Sequence, residues 1–184
     1  MNKVKYLLTY RYAEIIHDLT VEFVKKYIDY KSRTKDQMVQ AARSGKQCIV
    51  EGIGFSSTST KMEIKLLGSS LASFEELLSD YEDYLRQNDL EIYPKTDLRI
   101  TEFRQTAYRL SNLSNLSDLG NLIEKPKLFD NPEKDANFLL TLCHLVTYLL
   151  DRQIKAAEAK FLTEGGYSEK LLNKRLEYRR NNSK

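Results

Sequence analysis

Residues that interrupt helices are scarce in this sequence, and long hydrophobic runs do not occur. Among 184 residues there are 3 prolines, 7 glycines and no tryptophan. A turn-rich β fold needs more prolines and glycines, so the composition favours long helices. A membrane span would require roughly 18 or more consecutive apolar residues, and no stretch approaches that length. We therefore expect an all-α protein that does not enter a membrane.

Cysteine and histidine are equally scarce, which restricts redox and metal chemistry. The 2 cysteines, Cys48 and Cys143, lie far apart in apolar helical patterns, so we expect reduced thiols in a cytoplasmic protein. Glu14 and His17 match the Glu-x-x-His spacing of di-metal bundles. Those sites require the motif on two helices, and the only other histidine, His144, lacks it. The sequence therefore predicts no metal site and no cofactor.

No group of residues has the pattern of a catalytic site. Cys143 and His144 would lie about 100 degrees apart on a helix, so they cannot pair as nucleophile and base. Gly52-Ile53-Gly54 follows a predicted helix rather than a strand and has no third glycine, which argues against a phosphate-binding loop. We expect a protein that is not an enzyme.

Apolar residues recur at steps of three and four over four long segments, which predicts four amphipathic helices. Their predicted limits are near residues 5–30, 35–53, 60–88 and 132–164. The apolar side of the second helix carries mainly small residues, among them Ala41, Ala42 and Gly45. Because small side chains let a neighbouring backbone come close, we expect this helix to lie at the centre of a bundle.

Capping residues support these limits. Thr34 is the predicted N-cap of the second helix, and Thr60, in a capping box with Glu63, that of the third. Asn131, with Pro132 at the first helical position, is the predicted N-cap of the fourth helix. Ser168 is the predicted N-cap of a short helix that follows. Gly52 or Gly54 is expected to end the second helix, and Gly165-Gly166 the fourth.

Two segments lie outside the four helices. Residues 89–132 contain all 3 prolines and are predicted to be an insertion. It would hold a short helix near residues 97–113, and then leucines at every third residue up to Leu122 in irregular packing. The predicted organisation is a bundle over residues 1–164 and a basic suffix over residues 165–184, with a short basic helix.

The fourth helix is apolar over a wide arc. One seam includes Leu139 and Cys143. The adjacent second seam consists of Phe138, Leu142, Leu145 and Leu149. The apolar surface of this helix is wider than packing within one bundle requires. It therefore predicts a subunit interface on the second seam.

The net charge of +3 is unevenly distributed. Residues 1–46 hold ten basic and five acidic residues, residues 47–92 hold three and nine, and the last twenty hold six and two. A basic surface for phosphate backbones would explain this, and so would basic and acidic faces that meet within the bundle or between subunits. The candidate nucleic-acid-binding residues are Arg33, Lys35, Arg43, Lys46, Lys174, Arg175, Arg179 and Arg180. Their alternative interpretation is an ordinary solvated face.

Glu51 is the most notable single carboxylate. It lies at the C-terminal end of the second helix, where a negative charge opposes the helix dipole. We expect an ion pair with a basic residue of an adjacent helix or subunit, and a ligand site is the alternative.

Two motifs carry a resemblance to a known family. The first is Gln37, Ala41-Ala42 and Ser44 followed by Ile49-Val50-Glu51-Gly52, and the second is Leu71, Ser73, Glu75, Glu76 and Leu77. They resemble an alanine pair, a serine and an N-I-A-E-G-like turn, and then an S-L-x-E-L segment. These are features of the four-helix-bundle proteins encoded by intervening sequences in large-subunit ribosomal RNA genes, the S23-type ribosomal protein family.

The resemblance covers about residues 5–88 and 133–164. The segment from Phe161 to Gly166 and beyond is similar to a suffix in a bacterial subset of that family. The chain departs from the family at Lys46-Gln47-Cys48, where many relatives have I-P-S-N, and in the longer insertion.

The resemblance implies a left-handed up-down-up-down bundle, ring-shaped homo-oligomers that are commonly pentamers, and no enzymatic activity. A related branch binds RNA or DNA as the accessory subunit of the reverse transcriptase in diversity-generating retroelements. Two functions therefore stay open: a nucleic-acid-binding accessory protein, acting with a reverse transcriptase or ribosomal RNA, or a protein-interaction scaffold with no nucleic-acid role.

Overall fold

The computed structural model describes residues 3–111 and 126–182, and its regular secondary structure is entirely helical. A 3-10 turn over Lys3–Tyr6 comes first. The α-helices are α1 (Leu8–Tyr27), α2 (Thr34–Phe55), α3 (Thr60–Gln87), α4 (Leu98–Ser111), α5 (Pro132–Glu164) and α6 (Tyr167–Asn182). The expected all-α class is therefore confirmed. The predicted leucine repeat from Leu113 to Leu122 lies outside the described residues.

Four of these helices enclose one hydrophobic core. Helix α1 packs against α2 and α5, and α3 also packs against α2 and α5. Tyr27 contacts Asp135, and Thr9 contacts Gln153, so α1 and α5 run in opposite directions. Each long helix directs one apolar stripe inward, as the periodicity predicts. Across the described ranges, no helix has the length and apolar character of a membrane span.

The contact between α2 and α3 depends on small residues. Ala42 is fully buried, and a Cβ atom on Gly45 would lie only 2.6 Å from the Phe74 ring. The Ser70 hydroxyl donates a 2.8 Å hydrogen bond to the Gly45 carbonyl across the same contact. The expectation that small side chains on α2 permit a close backbone approach is confirmed at this point.

Two predicted helix ends are wrong because local hydrogen bonds compete with the helix. The first helix was expected to reach residue 30, but α1 ends at Tyr27. The Asp29 carboxylate accepts a 2.8 Å bond from the Lys31 N–H, which closes a turn instead of another helical residue. Thr34 lies inside α2 rather than capping it, and the Ser32 hydroxyl accepts from the Thr34 N–H at 3.2 Å.

Other helix ends are partly corrected. Helix α2 continues past Gly52 and Gly54 to Phe55. Ser59, one residue before the predicted Thr60, caps α3 by accepting from the Met62 N–H at 3.3 Å.

The two ends of α5 match the predictions: the cap at its start, and the Gly165-Gly166 hinge at its end. Asn131 accepts from the Lys134 N–H at 2.9 Å, with Pro132 as the first helical residue, so this predicted cap is confirmed. Gly165 ends α5 with a φ of 70°, a conformation that glycine adopts without strain. Helix α6 begins at Tyr167, so Ser168 lies inside the helix and this predicted cap is wrong.

Helix α4 forms within the predicted insertion and packs on α5 and α1. Asp97 begins it by accepting from the Arg99 N–H at 2.8 Å. The segment before α4 is attached to α5 by the buried Asn137, whose amide accepts from the Tyr93 N–H and donates to the Glu91 carbonyl, both at 2.8 Å. The Arg99 guanidinium stacks 3.4 Å from the centre of the Tyr93 ring. The described part of the insertion before residue 112 thus packs on the outside of the bundle.

Candidate nucleic-acid interface

The cations of α2 share one side of that helix. Lys35, Arg43 and Lys46 are separated by eight and three residues, which places them on one helical face. Arg43 is exposed, and Lys35 and Lys46 are half-buried. The Lys46 amine lies 3.3 Å from Nδ1 of His17 on α1. This face therefore borders the α1–α2 groove.

His17 lies among charges of both signs in that groove. Partial burial lowers the pKa of His17 below its ordinary value, and the neighbouring charges of Lys46 and Arg43 lower it further, whereas Asp18 and Glu14 oppose them. A neutral imidazole can accept a hydrogen bond from Lys46, whose ammonium group only donates. His17 is thus a polar partner of a lysine. Within the described residues, no group of three or more His, Cys, Asp or Glu side chains could hold a metal ion.

The cations of the suffix lie on α6, a helix without a single buried residue. Leu171, Leu172 and Leu176 are 48%, 55% and 43% exposed, so they do not dock on the bundle of their own chain. The hinge is held by an ion pair between Lys170 and Glu164 at 2.8 Å. The helix therefore presents its basic residues to solvent.

The structure does not bring the two groups of cations together. Pocket-lining residues around the hinge include Ser56, Ser57 and Gly165, so α6 starts beside the connection between α2 and α3. Arg33 and Lys35 lie at the other end of α2, about 30 Å away at 1.5 Å per residue. A ligand that contacts both groups must therefore extend along the molecule.

Most predicted nucleic-acid-binding residues have no acidic partner in the part of the chain that the structure describes. Other basic residues are paired: Lys26 with Asp130, Arg86 with Asp83, and Lys155 with Asp151. By contrast, no ion pair within the described ranges involves Arg33, Lys35, Arg43, Lys46, Lys174, Arg175 or Arg180. Arg179 is exposed on α6 and does have an interaction partner. The unpaired cations can bind anions without first breaking an ion pair.

The predicted interface residues separate into two pairs. Phe138 and Leu142 are fully buried within one chain. The Phe138 ring lies 5.4 Å from Phe103 on α4 and 5.3 Å from Phe129, measured between ring centres. Phe103 and Phe129, both from the predicted insertion, therefore cover Phe138. Because Phe138 and Leu142 are both fully buried, neither is free to contact another subunit. Leu145 and Leu149 are half-buried and stay interface candidates.

A groove that the sequence did not indicate lies along the outer side of α5. Its volume is about 890 Å³, and α3, α5 and the segment from Ile92 to Arg104 line it. Apolar residues such as Leu71, Leu140 and Leu145 line it together with charged ones. It forms only because the segment from Ile92 to Arg104 packs beside α5, so no single-helix pattern could have predicted it.

Two other features that the sequence singled out are Glu51 and the cysteines. Glu51 is exposed and forms no ion pair within the described ranges, so its partner on another subunit stays a prediction. Cys48 and Cys143 are both free thiols. Complete burial raises the pKa of Cys143 far above its ordinary value, which makes it a poor nucleophile.

Asp80 gives a testable pH dependence. Burial, with Glu76 and Asp83 nearby, raises the pKa of Asp80 from 3.8 to about 6, and one carboxylate oxygen is buried with no hydrogen-bond partner in the described structure. The folded state therefore binds this proton more tightly than the unfolded state, and the charge destabilises the fold above a pH of about 6. We expect Asp80→Asn to raise the free energy of unfolding by about 1 kcal/mol at pH 7.5, a value reduced for solvent screening.

The Asp80→Asn advantage should disappear as the pH falls through the interval between the two pKa values, because the native carboxyl group is then neutral. Urea unfolding of both chains at pH 7.5 and pH 4 measures the difference. An equal advantage at both values would mean that the charge of Asp80 is not the cause.

Comparisons with protein-family models, with curated proteins and with solved structures gave no match to this chain.

Proposed function

We propose that the protein is a non-enzymatic, oligomeric nucleic-acid-binding accessory protein that contacts the phosphates of RNA or DNA. The observation that carries the proposal is the set of unpaired cations on α2 and α6. A phosphate group needs cations that are not already neutralised, and each phosphate contact releases condensed counterions. Because helical Lys and Arg side chains reach phosphates without reading bases, binding would be independent of sequence.

The finer architecture belongs to the same proposal. In this proposal α1, α2, α3 and α5 are the four helices of a left-handed up-down-up-down bundle like that of the intervening-sequence family. The opposite directions of α1 and α5 support the alternation. So does the short connection between α2 and α3, because short links join antiparallel neighbours. The handedness follows from the resemblance alone.

The proposed assembly is a homo-oligomeric ring, and the resemblance suggests a pentamer in the cytoplasm. The half-buried Leu145 and Leu149 support a subunit contact. Repeating α6 around a ring would gather several weak basic sites and raise avidity without any new contact. A reverse transcriptase or another protein would be the further partner of such an assembly.

The second candidate function is a protein-interaction scaffold with no nucleic-acid role. The groove along α5 favours it, since an apolar groove with charged sides is a common docking surface for a helix. A scaffold would not require unpaired cations on α2 and α6, and for that reason we place it second.

The test of the proposed function is fluorescence anisotropy with labelled RNA and DNA. The full chain is compared with a chain that ends at Glu164, which loses no core residue because α6 is entirely exposed. We expect the shortened chain to bind both nucleic acids at least tenfold more weakly at low salt. Equal binding by the two chains would remove α6 from the interface, and no binding by either would leave the scaffold function ahead.

A further inference from the structure

Two tyrosines of α6 lie on one face of that helix. Tyr167 and Tyr178 are separated by eleven residues, which is close to three full turns, so they lie about 20° apart around the helix axis. Leu171 and Lys174 lie between them on the same side. The two tyrosines are about 17 Å apart along the axis at 1.5 Å per residue. We call these four residues the tyrosine face of α6.

The aromatic rings of the tyrosine face are accessible. Tyr178 is 71% exposed, and Tyr167 is 46% exposed. Within the described ranges, no aromatic ring packs on either of them and no cation covers them. Tyr93 differs from them, because the Arg99 guanidinium occupies one side of its ring. Most of Tyr178 and about half of Tyr167 are therefore free to contact a ligand.

Positive charge is concentrated at the Tyr178 end of this face. Lys174 lies one helical turn before Tyr178, and Arg175 lies about 60° around the axis from Tyr178. Neither cation forms an ion pair within the described ranges. At the other end of the face, Lys170 is neutralised by Glu164 at 2.8 Å. A phosphate group would therefore bind best near Tyr178.

The two acids of α6 lie away from the tyrosine face. Glu169 is on the opposite side of the helix, and its carboxylate accepts a hydrogen bond from the Gly166 N–H at 2.9 Å. Glu177 lies about 100° around the axis from Tyr178. A polyanion can therefore approach the tyrosine face along a side of α6 that carries no carboxylate.

Exposed aromatic rings beside unpaired cations are the combination that binds single-stranded nucleic acids. The cations hold the phosphates, and each ring stacks on an unpaired base. Stacking has little sequence preference, because every base has a flat π surface. The bases of a duplex are paired and stacked on each other, so a tyrosine on the surface of a helix meets only the backbone. The tyrosines can therefore add affinity for single strands and not for duplexes.

We propose that the tyrosine face of α6 binds single-stranded RNA or DNA, with bases stacked on Tyr178 and Tyr167 and phosphates held by Lys174 and Arg175. This assignment rests on the proposed function and names the class of nucleic acid that it would take. Because about 17 Å separates the two tyrosines along the axis, their rings would stack on bases that are not adjacent in the strand.

Fluorescence anisotropy on full-length chains tests the stacking contact with three labelled DNA ligands. These are a single strand, the same strand in a duplex, and the same strand with abasic sites in place of its bases. The abasic strand keeps the phosphates and offers no base to stack on. We therefore expect the unaltered chain to bind the single strand about tenfold more tightly than the abasic strand at equal salt.

The variant that carries Tyr167→Ala and Tyr178→Ala should bind the single strand about tenfold more weakly than the unaltered chain. Its affinity for the duplex and for the abasic strand should change by less than about twofold, since neither ligand stacks on the rings. Tyr167→Phe with Tyr178→Phe keeps both rings and should bind all three ligands like the unaltered chain. Helix α6 has no buried residue, so these changes leave the core intact, and circular dichroism checks the fold.

The matched control is Tyr148→Ala on α5. Tyr148 is 58% exposed, and it lines the α5 groove together with the carboxylates of Glu75 and Asp151. Its removal takes away a similarly exposed ring without altering α6, so binding of all three ligands should stay the same.

Single-strand affinity that survives in the alanine variant would overturn the stacking contact and leave the phosphate contacts of the proposed function in place. An equal loss for all three ligands would have the same meaning. A phenylalanine variant as weak as the alanine variant would also overturn stacking, because the hydroxyl groups and not the rings would then be required. If the unaltered chain bound none of the three ligands at low salt, the proposed function would be wrong together with this contact.

Discussion

Replacing Gly45 by alanine is expected to lower the free energy of unfolding by up to about 2 kcal/mol. The new methyl group would lie 2.6 Å from the Phe74 ring, which is fully buried and cannot move away without disturbing the core. Overpacking of this kind costs about 1–3 kcal/mol. The cost should exceed the gain of about 1 kcal/mol that alanine brings to a helix interior.

Gly54→Ala in the same helix is the matched control. No atom lies within 4 Å of a Cβ atom at this position, so only the helix propensity should act and the protein should gain up to about 1 kcal/mol. Urea unfolding of the two variants should therefore give changes of opposite sign. Changes of the same sign would mean that the close approach of α2 and α3 at Gly45 is not required.

The double variant Arg43→Glu and Lys46→Glu is expected to bind RNA and DNA about 100-fold more weakly at low salt. It removes two phosphate-binding cations and places two carboxylates next to Glu14 and Asp18, so phosphates are repelled where they were attracted. The measurement is fluorescence anisotropy on folded full-length chains.

Lys61→Glu and Lys65→Glu on α3 form the matched control, because they make the same change of net charge at two other exposed lysines. The control should lose much less affinity than the variant in α2. If both lost affinity equally, binding would depend on the net charge of the protein and not on the α1–α2 groove.

The long helices could be predicted from the sequence because each has its own apolar period and several have their own caps. Asn131 with Pro132 and the Gly165 hinge are local signals, and the structure has them where the sequence places them. The ends of α1 and α2 were less predictable. There, single hydrogen bonds accepted by the Asp29 and Ser32 side chains decide between a turn and another helical residue.

The partner of each apolar face could not be predicted in the same way. The pattern on α5 shows that Phe138 and Leu142 must be buried, but a period does not say what covers them. A subunit interface and an inserted helix would produce the same apolar pattern in the sequence of α5. In the structure, Phe103 and Phe129 cover the Phe138 ring.

The sequence could predict which residues form the candidate site, but not how they are arranged. The basic residues of α2 and α6 are evident in the sequence. Their lack of acidic partners depends on how neighbouring helices are rotated. The contact between Lys46 and His17, 29 positions apart, depends on the same rotation. The groove requires three separate segments to meet, so it became visible only in the fold.

The central claim is that unpaired cations bind the phosphates of nucleic acids without regard to sequence. A salt titration of the unaltered full-length chain with two labelled single strands of unrelated sequence, one RNA and one DNA, tests it most directly. We predict that the logarithm of the binding constant falls linearly with the logarithm of the salt concentration, with similar slopes for both strands. The absence of binding at low salt, or an affinity that does not change with salt, would contradict the claim.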